Sequence, residues 1–99
     1  MEIEIETNFI PMILADEDLP NGVTKRVIPR IEKRDFSEPV ASAIFILASG
    51  VTAKVLGSWI YDKLVKHKER TYLKIDRKEV TIDKANIIRI IEEKIEIKK

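Results

Sequence analysis

The side chains that could do chemistry in this sequence are few, and each set lacks a part. His67 is the single histidine and stands inside Lys66-His67-Lys68. A histidine acting as general base needs a nucleophile beside it and a third group to orient it. Spacing supplies neither, and a histidine at a helix C-terminus is favoured simply by the helix dipole. Asp16-Glu17-Asp18 offers carboxylates to a hard cation, but without the ligand pattern of a calcium loop, so it reads as an exposed acidic turn. Gly50 and Gly57-Ser58 have the outline of a phosphate-binding loop, but the lysine that must follow the second glycine is missing. Cysteine is absent, which removes thiolate ligands, a cysteine nucleophile and disulfides together. The expectation is a protein that is not an enzyme, with no catalytic residue, metal site, cofactor or small-molecule substrate.

What remains is charge. Residues 63–78 carry seven bases (Lys63, Lys66, Lys68, Arg70, Lys74, Arg77 and Lys78) against Glu69 and Asp76. Trp59, Tyr61 and Tyr72 lie among or just before them. Bases interleaved with aromatics can hold nucleic acid by phosphate contact and stacking. The same charges also suit a solvated helix end followed by a hairpin. Net charge is +1, and the first 24 residues carry six acids and no base. That balance disfavours a general polyanion binder and leaves room for a local basic face.

The elements that must position these groups belong to one domain, residues 1–99. Hydrophobic residues are 44% and charged residues 35%, a globular composition. Glutamine is absent too, while isoleucine, lysine and glutamate are abundant, the pattern of a thermophilic protein. The acidic, alternating start is unlike a signal peptide, so a cytoplasmic location is expected.

Residues 2–7 alternate strictly and read as a strand with Ile3 and Ile5 inward. Residues 9–15 are apolar but contain Pro11, which fits an edge strand or a core-filling loop. Pro20-Asn21-Gly22 is a turn. Residues 23–34 form a second strand candidate, sent to an edge or broken by Pro29. Residues 71–76 and 79–82 make a hairpin around Asp76-Arg77-Lys78. Asp83 caps a last helix whose inner face is Ile87, Ile91 and Ile95. The tail at 94–97 alternates, but helix is favoured there.

Between these lies a long helix, residues 38–67, with Ser37 as cap and Pro39 in its first turn. At 1.5 Å per residue its thirty residues would span about 45 Å. The second half is amphipathic, with Leu56, Ile60 and Leu64 on one stripe. The first half, residues 40–53, is uncharged and apolar or small all round. Such a segment is buried in a core, an oligomer or a membrane. Ser49, Ala53 and Gly57 recur four apart, and Ala43, Gly50 and Gly57 seven apart. Small faces of this kind let another backbone approach, either a partner's helix or the chain's own sheet. Residues 40–61 are also long enough to span a bilayer, although Lys54 would cost about 2.5–3.5 kcal/mol near the centre. The expected fold is α+β, with a small, mostly antiparallel sheet of about four strands in β-β-α-β-β-α order. The long helix and the C-terminal helix cover it in two layers.

From Ala48 onward the chain resembles the effector-associated constant component family of prokaryotic conflict systems. The residues that carry the likeness are Ser49-Gly50, Trp59-Ile60, the basic stretch from Lys66 to Arg70, the strand from Tyr72 to Ile75, and Val80-Thr81-Ile82-Asp83. The resemblance implies a non-enzymatic adaptor coupled to separate effector proteins. It also implies a helix between the first two strands, a feature that Pro11 and the short 16–22 segment oppose. The leading expectation is therefore a protein-interaction module, a homo-oligomer or a binder of another protein, using Ala43, Ser49, Gly50, Ala53 and Gly57 as its seam. Nucleic-acid binding through residues 63–78 and membrane association through residues 40–61 are the alternatives.

Overall fold

The computed structural model describes residues 1–14, 18–28, 32–33 and 39–97; at 32, 33 and 39 it describes the backbone. The order is β1 (Glu2–Thr7), α1 (Ile10–Leu14), β2 (Val23–Val27), β3 (Glu32–Lys33), β4 (Pro39–Leu47), α2 (Ala53–Leu64), a 3₁₀ segment (Val65–Arg70), β5 (Leu73–Ile75), β6 (Lys78–Val80) and α3 (Lys84–Ile97). The fold is α+β. Five antiparallel strands run in the order β2-β4-β1-β5-β6, and the two-residue β3 pairs with the start of β4.

The long helix is the main correction. Its first half is β4, and only Ala53–Leu64 is α-helix. The order β-β-α-β-β-α is replaced accordingly. Val40, Ile44, Phe45 and Ile46 are β-branched or aromatic, types that lose χ1 freedom in a helix and pack well on a pleated surface. Gly50 then ends the strand's continuation, with φ of +94°, a conformation that side chains beyond glycine rarely adopt. Thr52 starts α2 by accepting a hydrogen bond from the Val55 amide at 3.3 Å. Ser37 and Glu38, expected to open the helix, lie outside the described residues, as do Pro29 and the acids at 16 and 17.

Elsewhere the elements follow from local rules. Pro11 sits in the first turn of α1, where its missing N–H is harmless; the segment is neither an edge strand nor a loop. Asp76 and Arg77 have φ of +49° and +70°, the two positive values of a tight hairpin turn. Asp83 accepts from the Asn86 amide at 3.0 Å and opens α3, which continues through Ile97.

The core lies on one face of the sheet. Ile3, Ile5, Ala41, Ala43, Phe45 and Leu47 form one buried cluster with Met12 and Ile13 of α1, Leu56, Ile60 and Leu64 of α2, and Ile87 and Ile91 of α3. Phe45 meets Trp59 with ring centroids 5.7 Å apart. The two helices cross at Gly57, where an added Cβ would stand 2.6 Å from Ile88 Cγ1 and 3.1 Å from Ile88 Cα. Thr7 is a fully buried polar residue and is satisfied. Its hydroxyl donates to the Tyr72 carbonyl (2.8 Å) and accepts from the Phe9 amide (3.1 Å). Asn8 bonds Arg70 and Tyr72 as well, so the end of β1 fixes where the 3₁₀ segment passes into β5.

Candidate interaction surface

The opposite face of the sheet is the distinctive surface. Side chains alternate along a strand, so the residues between the buried ones look away from the helices. On β1 these are Glu2, Glu4 and Glu6; on β4 they are Ser42, Ile44 and Ile46, while Val40, at the same alternation, is itself buried. The register sets them in rows. Ile46 lies between Glu2 and Thr24, and Ile44 between Glu4 and Arg26. Ser42 is flanked by Glu6, and its carbonyl accepts from the Ile28 amide at 3.0 Å. A shallow hollow on this face is lined by Glu4, Glu6, Ile28, Val40, Ser42 and Lys74 among others.

Electrostatically this face is divided. Glu6 accepts from the Tyr72 hydroxyl at 2.8 Å and stands 3.8 Å from Lys74. Glu4 stands 3.8 Å from Arg77, whose side chain is 86% exposed. Arg26, on the far side of the isoleucine row, is exposed, and its guanidinium has no ion pair or hydrogen bond among the described residues. The result is an apolar strip with carboxylates along one flank and, on the other, a guanidinium unpaired among the described residues.

The residues expected to form a small-residue seam do not share a helix face. Ala43 is fully buried on β4, and Ser49 and Gly50 occupy an exposed turn. Ala53 is buried, and Gly57 faces Ile88 of the same chain. The bilayer span is likewise divided into strand, turn and helix, and among the described residues no helix is long and apolar enough to cross a membrane.

The seven bases are distributed over several elements. Lys63 forms an ion pair with Asp18 and lies over the Trp59 ring, 5.7 Å from its centroid. That hydrogen bond from Lys63 holds the Asp18 carboxyl below its ordinary value, against some desolvation. The Trp59 indole N–H contributes a smaller lowering, although it meets no described acceptor at full hydrogen-bond geometry. Lys66, Lys68 and Arg70 are exposed on the 3₁₀ segment, Lys74 is on β5, and Arg77 and Lys78 are at the hairpin. The 3₁₀ group and the hairpin group therefore stand at opposite ends of β5. His67 is exposed and stacks on Phe9 with centroids 5.1 Å apart. Among the described residues no group of three His, Cys, Asp or Glu side chains is placed to hold a metal ion.

Sequence reasoning missed Arg26, Ile44 and Ile46 as surface residues. The alternation of β1 gave one wall of the face, but the strip itself needs β4 to be a strand. Compared with family models, curated proteins and solved structures, the chain matches none.

Proposed function

We propose that this protein is a non-enzymatic interaction module that binds a protein chain through the face of its sheet opposite the helices. The observation that supports this is the half-buried pair Ile44 and Ile46 on that face, with Ile28 nearby. A one-sided antiparallel sheet ordinarily places polar residues outward, and β1 does so with three glutamates. Isoleucines at the outward positions of β4, an interior strand, are the composition of a surface that another chain completes. The adaptor role implied by the family resemblance agrees. Nucleic acid fits less well, because Lys63, Lys74 and Arg77 already face Asp18, Glu6 and Glu4.

A photo-crosslinking side chain at Thr24, which is exposed beside Ile46, tests this in the producing cell. Irradiation should give a discrete adduct heavier than the chain, and the same group at exposed Lys54 on α2 should give none. No heavier adduct from position 24, or equal labelling from both, refutes the proposal.

A further inference from the structure

The geometry points to a second copy of this chain as the occupant of the open sheet face, docked about a two-fold axis parallel to β4. This rests on the function proposed above and names its partner. Glu4, Ile44 and Arg26 lie side by side in one row across β1, β4 and β2. An axis running along β4 between two stacked sheets exchanges left for right. It sets β4 on β4 and β1 of each copy over β2 of the other. Ile44 then meets Ile44, and each Glu4 meets an Arg26 of the other copy. Sheets pack about 10 Å apart, a gap that one glutamate and one arginine reaching toward each other fill.

Charge selects this arrangement among the face-to-face two-folds on β4. An axis across the strands would set β1 on β1 and the glutamate row on itself, which is repulsive. It would also stack Arg26 on Arg26. The parallel axis satisfies the guanidinium that has no partner among the described residues. It leaves the existing contacts of Glu6 with Tyr72 and Lys74 at the rim, and it sets Glu4 between the Arg26 of the other copy and its own exposed Arg77, 3.8 Å away. Three strands overlap over five or six residues each, a flat area of about 300 Å². That is below the roughly 800 Å² per partner of a standard interface, so the dimer is reversible and concentration-dependent.

The test is sedimentation over a dilution series reaching millimolar chain, with thermal melts to verify folding. Wild type should pass from monomer to dimer. Arg26→Glu and Glu4→Arg each place like charges opposite one another at both contacts, and each should weaken association by about a hundredfold, roughly tenfold per contact. The two variant chains mixed together should form a one-to-one heterodimer, because every facing pair is again of opposite sign. If Glu4→Arg fails to fold, loss of the dimer in Arg26→Glu with rescue at higher salt carries the same test. A wild-type monomer throughout, variants that dimerise like wild type, or monomeric variants that stay apart on mixing each overturn the dimer. An adduct from position 24 containing a different protein also overturns it, while leaving the interaction surface intact.

Discussion

Gly57→Ala separates two physical roles for the small residues of α2. In an exposed helix interior, replacing glycine by alanine stabilises by about 1 kcal/mol. Here the new Cβ would stand 2.6 Å from Ile88 Cγ1, and also 3.1 Å from Ile88 Cα and 3.3 Å from its nitrogen. Carbon contacts are comfortable at about 3.5–4.0 Å. Rotating the Ile88 side chain relieves the first contact but not the other two, which belong to the backbone of α3. The helices must separate by a few tenths of an ångström, and overpacking of this kind costs about 1–3 kcal/mol. Set against the gain in helix propensity, the net is a destabilisation of about 1 kcal/mol. Urea unfolding followed by Trp59 fluorescence should show the midpoint falling by about half a molar. The shift should not depend on protein concentration, because the contact lies within the chain. Adding Ile88→Ala should recover part of the loss through a coupling of about 1 kcal/mol. A Gly57→Ala variant more stable than wild type, or a loss that vanishes at high protein concentration, would refute the close crossing. The second outcome would return Gly57 to an intermolecular seam.

Two further expectations concern the turn and the acid limb. Arg77 holds φ at +70° with its side chain 86% exposed, so Arg77→Gly removes left-handed strain for little lost contact. After the entropy cost of glycine it should stabilise by about 0.5 kcal/mol in thermal or urea unfolding. Asp18, held below its ordinary value of 3.8 by Lys63, contributes stability above that value and loses it as pH falls through its lower folded-state value. The stability difference between wild type and Asp18→Asn should therefore be constant from neutral pH to about pH 5 and close only in stronger acid. A difference that closes near neutrality would exclude this carboxylate as its source.

Local signals made several elements legible. Strict alternation marked β1, and the dipeptide Asp76-Arg77 between two short alternating runs marked the hairpin. Asp83 before isoleucines at helical spacing marked α3. Each feature is set by neighbours in sequence, so no distant contact had to be known. The early helix was harder. Residues 10–14 have no periodicity to speak of, and Pro11 is as compatible with a first helical turn as with an edge strand. The seven bases could be read as a group because they are close in sequence. Three of them face carboxylates contributed by Asp18, Glu6 and Glu4, pairings that only the fold creates.

The stretch from Pro39 to Leu47 was illegible as a strand for a reason that bears on the proposed surface. A strand with one wet face alternates; a helix buried on all sides does not; a strand covered on both faces does not either. β4 shows no alternation of polarity, so periodicity cannot separate the last two, and its length suits both. The structure resolves the ambiguity in favour of the strand, but in a sheet whose described helices pack on one side alone. Its neighbours keep the ordinary rule at the same level of the open face: Glu2 and Glu4 on β1, Thr24 and Arg26 on β2. Only β4, between them, departs from it, with Ile44 and Ile46 left half-buried between charged and polar side chains. The property that disguised β4 as a buried helix is the property of a strand covered on both faces. In this fold the chain's own helices cover one of them, and the second copy proposed here supplies the other.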